Sequence, residues 1–340
     1  MKTFKKYSHI ENSYQQAYIN KVLETVGNDA LFVAQEKVDG TNFQFIVGRN
    51  DSGIVEVSCG KRSGEIAPDE NFFGWQNIVA VMQQKIIKLF EILEKNYNVS
   101  AGVNINGEYF GGYYPGFKNT DGAILNRIAY SPKREFYGFD IYIPADETYL
   151  SPVKSVELFN EVGIFAAENL FIGTLTECLK LDPVFESTIA TRLGYDKIDG
   201  NVAEGYVLKP VEPAYFRNGE RIIIKHKNPK FQEVQKSRKV PAAPVENSEA
   251  LSGLLTIVAD YVNEARLENC KSHLGEIEIP KDFGKLLGEL SKDVMSEFFS
   301  DDTNKNTYTK LEKAEQKRFN GEVNKLCSSL IKEVYMTVKN

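Results

Sequence analysis

The 340-residue chain has few of the residues that mark metal or redox sites: four cysteines, three histidines and one tryptophan. Cys59, Cys178, Cys270 and Cys327 stand far apart, with no C-x-x-C pair and no Cys/His spacing suited to zinc, so they are expected to be reduced core thiols of a cytosolic protein. His9, His226 and His273 form no H-x-x-x-H pair, and without a G-x-S-x-G turn a Ser-His-Asp hydrolase has no support. Each histidine is expected to be structural or superficial. Neither G-x-x-x-x-G-K-[ST] nor a G-x-G-x-x-G following a strand occurs, which sets aside the common P-loop and dinucleotide-binding folds. No window approaches the roughly 18 apolar residues of a membrane span, and Met1-Lys2-Thr3-Phe4-Lys5-Lys6 carries charge with no apolar stretch behind it. A soluble, cytoplasmic protein without membrane contact is the expectation.

What is present fits one large or two modest globular domains: 42% of residues are hydrophobic and 26% charged. The net charge of −6 argues against wholesale coating of nucleic acid. Its distribution is uneven, however. Arg217, Arg221, Lys225, Lys227, Lys230, Lys236, Arg238 and Lys239 face only Glu220 and Glu233 in that window, a local balance of +6 that suits a defined polyanion footprint or, more blandly, a solvated linker.

Strand-like runs with β-branched and aromatic content span 31–36, 42–48, 54–58, 103–109, 135–143, 205–208 and 221–225. Between them, Ile78, Val79, Met82, Ile86, Leu89, Phe90 and Leu93 recur at three and four, predicting an amphipathic helix over 73–97. The stretch from Gln235 to Pro244 is basic and proline-punctuated, as linkers are. Beyond it Ser248 can cap a helix carrying Leu251, Leu254, Leu255, Val258 and Val262, and 285–299 and 309–338 also read as helical. The fold class is therefore α+β: an N-terminal domain (1–235) of antiparallel sheets flanked by helices, a linker (236–246), and a small all-α C-terminal domain (247–340).

Four segments carry chemistry. Glu36-Lys37-Val38-Asp39-Gly40-Thr41-Asn42 places a lysine between a strand and a tight turn, where it can be a covalent nucleophile once burial or nearby cations lower its proton affinity. In Ile224-Lys225-His226-Lys227-Asn228 the two lysines share one face of a strand at period two, and can cradle phosphate. A solvent-facing edge strand would show the same spacing. Glu204 and Glu108 sit in apolar strands, where an inward acid needs a metal or a cation; a strand-end surface acid is the alternative.

Together these runs resemble the RNA ligase 2 family, phage double-strand RNA ligases related to the RNA-editing ligases within the covalent nucleotidyltransferase superfamily. The resemblance also takes in Phe4 to Tyr7, Gly60-Lys61-Arg62-Ser63-Gly64, Asp69 to Gly74, Gly107-Glu108, Phe136 to Asp140, Glu204 to Pro210 and Pro280 to Lys285. It implies an ATP-dependent ligase with Mg²⁺ or Mn²⁺, in which Lys37 takes AMP and passes it to an RNA 5′-phosphate before a 3′-hydroxyl seals the strand. By similarity Glu36 lies beside the adenine, Phe139 stacks on it, Glu108 holds the ribose, and Arg62 meets AMP phosphate or the RNA end. Asn42 organises metal-bound water or the 3′ end, Glu204 serves the metal, and Lys225 and Lys227 grip the α-phosphate. The implied partner is RNA with nicked or bridged ends, met by a monomer, in the host cytoplasm if the protein is phage-encoded. Asp39 departs from the family pattern, and the aromatic loop Gly111 to Gly116 is either a packed Ω-type loop or an RNA contact. A DNA ligase or capping guanylyltransferase is the sibling alternative, disfavoured by the helical character after Ser248; a non-catalytic RNA-end binding protein is the other.

Overall fold

A computed structural model describes residues 2–118, 122–232 and 247–336. Two compact units divide the chain, Met1–Lys230 and Phe231–Asn340. The linker expected at 236–246 lies outside the described residues.

In the first unit the strands are β1 (Glu11–Asn12), β2 (Leu31–Glu36), β3 (Thr41–Arg49), β4 (Val55–Lys61), β5 (Gly64–Glu65), β6 (Val103–Tyr113), β7 (Ser131–Ile143), β8 (Thr148–Tyr149), β9 (Phe171–Thr174), β10 (Gly205–Pro210) and β11 (Ile224–Lys227). They form two sheets, ordered β1-β11-β10-β2-β9 and β5-β4-β3-β6-β7-β8. Every pairing is antiparallel save β1 with β11, so the expected α+β class holds. The helices of this unit are α1 (Gln16–Val26), α2 (Trp75–Asn96), α3 (Pro152–Glu161), α4 (Leu175–Cys178) and α5 (Ile189–Arg192).

Helix α2 follows the predicted stripe: Ile78, Met82, Ile86, Leu89, Phe90 and Leu93 are buried against Phe43, Phe45, Val47, Ile105 and Phe136 of the six-stranded sheet. Behind the five-stranded sheet, Ile19 and Val22 of α1 close on Phe32, Ala34, Leu208 and Ile224. Alternation along β3 and β6 would leave Asn42, Gln44, Asn104 and Asn106 on a wet face, yet all four are buried. The N-terminal segment and the five-stranded sheet cover them. Asn104 accepts from the Lys5 amide at 2.8 Å, the Gln44 amide group donates to Lys5 O at 3.2 Å, and the Tyr137 hydroxyl donates to Glu36 O at 3.3 Å. Residues 3–12 thus cross both sheets before Glu11 and Asn12 pair with Ile224 and Lys225.

The second unit holds α6 (Glu249–Ala259), α7 (Glu264–Leu274), α8 (Phe283–Phe298), α9 (Asp302–Lys310) and α10 (Lys313–Tyr335). Ser248 caps α6 as expected, its hydroxyl accepting from Leu251 N–H at 3.1 Å. The helix expected over 309–338 is shorter than predicted, because Leu311 and Glu312 take extended backbone where α9 ends and α10 begins. Arg266 is fully buried, donating to Tyr261 O at 2.8 Å and Glu297 at 2.9 Å and pairing with Asp293. All four cysteines are buried and none is in a disulfide; burial pushes the Cys59 thiol up to about 12 and that of Cys178 to about 11. No described helix is long and apolar enough to cross a membrane.

Leu89→Ala should leave a cavity between α2 and the sheet and lower the unfolding free energy by roughly 2–5 kcal/mol, read from urea denaturation.

Candidate active site

Lys37 leaves the end of β2 at a point fixed from both sides. Its own N–H donates to Gly205 O at 2.8 Å, and the chain then turns back into β3. That turn needs glycine at position 40 because a Cβ there would lie 2.5 Å from Tyr109 O and 3.0 Å from the Glu108 side chain. Gly205 has a φ of 130°, and its own Cβ would sit 2.3 Å from His226 O. Tight backbone approach therefore sets the spacing of lysine, glycine and glutamate on three neighbouring strands.

Glu204 is the meeting point. One carboxylate oxygen lies 2.6 Å from Lys37 Nζ and the other 2.8 Å from Lys227 Nζ, with the acid 1% exposed. Burial alone would raise its carboxyl, but the charges of Lys227, Lys37 and Arg127 hold it at about 2. Of the two lysines read as a phosphate cradle, Lys227 comes beside Lys37 through this shared carboxylate. The strand β10 lies between β11 and β2, so the lysine strand is two spacings, about 10 Å, from β2. Lys227 spans that gap by way of Glu204, and Lys225, on the same face, stands cross-strand from Val207. On the opposite face His226 bonds Ser13 Oγ at 2.8 Å and Leu181 O at 3.1 Å, a structural role.

Across the cleft, Asn42 and Glu108 stand directly opposite each other on β3 and β6. Glu108 is half-buried; desolvation, with the charges of Glu204 and Asp39, pushes its carboxyl up to about 8 against the pull of Lys37 and Arg62. Arg62, in the β4–β5 turn, makes no hydrogen bond or ion pair among the described residues, whereas its neighbour Lys61 pairs with Glu70. Asn42 Oδ1 is buried with no hydrogen-bond partner. Among the described residues no three His, Cys, Asp or Glu side chains converge to hold a metal unaided. The donors on offer, Asn42 Oδ1 and the Glu108 carboxyl, are hard oxygens; Glu204 could join them only by releasing a lysine.

Phe139 owes its position to a β-bulge. Asn106 pairs with Asp140 and Gly107 with Gly138, which leaves Phe139 as the extra residue and turns Tyr137 and Asp140 to the same face. Its ring meets Tyr7 at 5.2 Å, and Lys209 Nζ donates to its carbonyl at 3.0 Å. Behind it lies a cluster the sequence reading missed. Asp140, wholly buried, accepts from Arg221 at 2.8 and 3.1 Å and from the Tyr7 hydroxyl at 2.6 Å, and pairs with Lys209 at 3.1 Å. Its carboxyl is held at about 2 against burial by Arg221 and Lys209, while burial brings Lys209 down to about 8 in spite of Asp140. No local pattern announces this cluster, since Arg221 is 81 residues from Asp140 and Tyr7 is 133.

Glu36 points away from the lysine. Its oxygens accept from Ser187 Oγ at 2.5 Å and from Thr188 N–H and Oγ1 at 2.9 and 2.8 Å. Within the basic stretch read over 217–239, Arg221 and Lys227 are buried in ion pairs with Asp140 and Glu204, which takes them out of any surface footprint; Lys236, Arg238 and Lys239 lie outside the described residues. In the aromatic loop, Tyr114 is buried against Tyr195 at 5.0 Å and Phe117 at 5.5 Å, and Phe117 remains exposed.

The chain has clear relatives. Residues 30–227 match the family described as RNA ligase, and residues 245–329 the family described as T4 RNA ligase 2 C-terminal. RNA-editing ligase 2, mitochondrial, of Trypanosoma brucei brucei is 29% identical over 351 residues, covering 88% of this chain and 83% of the relative. RNA-editing ligase 1, mitochondrial, of the same organism is 30% identical over 302 residues, 72% of this chain and 64% of the relative. Among solved structures, Naegleria gruberi RNA ligase with PPi aligns at a TM-score of 0.44 and 16% identity, over 68% of this chain and 58% of that one. The chain thus spans less than two thirds of the length of these last two.

Glu108 gives a test of the electrostatics. A carboxyl held at about 8 binds its proton more tightly in the folded than in the unfolded chain, so stability should fall as pH rises from about 4.5 to about 8. Glu108→Gln should flatten that decline in thermal melts of the ligand-free protein, and an unchanged slope would contradict the assignment.

Proposed function

The chain belongs to the RNA ligase family, and from that premise we propose that it is an ATP-dependent ligase joining 3′-hydroxyl and 5′-phosphate ends of RNA held in a nicked duplex or bridged by a complementary strand. The observation that carries the reading is the pairing of Lys37 and Lys227 through one buried carboxylate, with the Lys37 backbone tied to Gly205. A lysine on a loose loop could not meet a phosphorus atom in line; this one is held where its amine needs only to leave Glu204.

In the first step the Lys37 amine, having passed its proton to solvent, forms a nitrogen–phosphorus bond to the ATP α-phosphate as the bond to the β-phosphate oxygen breaks and pyrophosphate leaves. Glu204, held at about 2, is a poor proton acceptor at neutral pH, so its work is to hold the amine and Lys227 in register. Lys227 and Lys225 face the α-phosphate, and the half-buried Arg62 is a cation for the phosphates or the RNA end. Phe139 offers a face to adenine and Glu108 an oxygen to the ribose. The Glu36 side chain, on β2 beside the place the resemblance gives the base, is already satisfied by Ser187 and Thr188. Mg²⁺ or Mn²⁺, when bound, supplies neutralising charge at the triphosphate; Asn42 would hold it through water, together with the phosphates, as a hard cation with few protein ligands requires. AMP then moves from Lys37 to the RNA 5′-phosphate oxygen, and the 3′-hydroxyl displaces it to form the phosphodiester.

Duplex RNA is recognised through its A-form shape, phosphates and 2′-hydroxyls, so sequence preference should be weak. Incubation with α-labelled ATP and Mg²⁺ should leave label on the wild-type protein that survives denaturing electrophoresis and alkali but is released by acid, as a phosphoramidate is, and none on Lys37→Ala. Label that survives the substitution would remove the lysyl-AMP reading. A nicked RNA duplex should be sealed far faster than its all-DNA counterpart, and equal rates would remove the RNA assignment.

A further inference from the structure

One ion pair at the cleft belongs to none of the roles above. Arg127 donates through Nε to Asp39 Oδ2 at 2.8 Å and through Nη2 to Asp39 Oδ1, a two-pronged grip on a carboxylate 3% exposed. Both oxygens accept guanidinium N–H bonds, the geometry of an ionised acid. Burial raises the Asp39 carboxyl, Arg127 opposes that, and the charge of Glu204 adds to it. The arginine is carried on a firm support. Ile124, Leu125, Ile128, Ala129 and Tyr130 are buried, Asn201 bonds the backbone of Ala129 on both sides at 2.9 and 2.8 Å, and the Tyr130 hydroxyl accepts from the Asp39 N–H at 2.9 Å.

Asp39, Glu108 and Glu204 all lie within electrostatic reach of one another and of Lys37. Lys227 and Lys37 answer Glu204. Arg127 answers Asp39, which would otherwise stand uncancelled two residues from Lys37 in the path of an incoming triphosphate. We propose that Arg127 is a charge-balancing, positioning residue of the nucleotide site: it cancels Asp39 so that a cleft holding three acids can admit a polyanion, and it does so without touching the nucleotide.

The proposal rests on the ATP reading above and predicts a pattern of coupling. Arg127→Met should weaken ATP binding by about tenfold or more while weakening adenosine binding less than about threefold, because only the phosphates feel the unmasked charge. These affinities are measured by calorimetry in EDTA, where no transfer occurs. In self-adenylylation the loss should fall on KM for ATP, with the rate at saturating ATP largely kept. The Asp39→Asn, Arg127→Met double variant removes both charges together and should bind ATP within about threefold of wild type. That comparison stands even where Arg127→Met alone fails to fold, since the double variant leaves neither charge unpaired. The proposal is overturned by a double variant that binds ATP about tenfold more weakly than wild type, by equal losses for ATP and adenosine in Arg127→Met, or by no loss of ATP affinity in it. Absence of lysyl-AMP in the wild-type protein would instead strike the reading on which it rests.

Discussion

The cleft is organised by one carboxylate shared between two ammonium groups. Glu204 enters β10 beside Gly205, whose carbonyl fixes the Lys37 backbone, and its two oxygens take Lys37 and Lys227 from opposite sides. A buried acid with only one cation would be costly, and two lysines with no acid would repel; the triad is stable because each charge answers another. Three strands are thereby held in register at the candidate site. In the proposed reaction the same arrangement keeps the Lys37 amine parked on an acid until the nucleotide draws it off.

A second buried acid does the equivalent work between the sheets. Asp140 gathers Arg221, Lys209 and Tyr7, joining the bulged strand β7 to the five-stranded sheet and to the N-terminal segment. The bulge matters here. Without the extra residue at Phe139, Tyr137 and Asp140 could not share a face, and the aromatic ring would have no strong reason to stand at the cleft. Position and charge are thus coupled: the ring is held by the same pairing that joins the sheets.

Much of this is legible from the chain alone. The β-branched and aromatic runs give the long strands, the stripe from Ile78 to Leu93 gives α2, and Ser248 marks the start of the helical unit. The lysine turn is readable because lysine, glycine and glutamate are each required by chemistry or by close backbone approach. Strands of two to four residues, such as β1, β5, β8 and β9, are not readable, since so few residues carry no period and are made by their partners. Arg127 and Arg221 escape for another reason. A salt bridge between residues 81 or 88 positions apart leaves no trace in local spacing, and a count of basic residues even misreads Arg221 and Lys227 as surface charge.

The path of residues 3–12 bears on how the molecule comes into being. Lys5 and Tyr7 lean on β6 and β7, and Glu11 and Asn12 form a parallel pair with Ile224 and Lys225, the last strand of the unit. A ribosome therefore has to translate beyond position 227 before this early stretch can find its neighbour, so the sheet is finished late and the waiting peptide stays unprotected, a natural client for a chaperone.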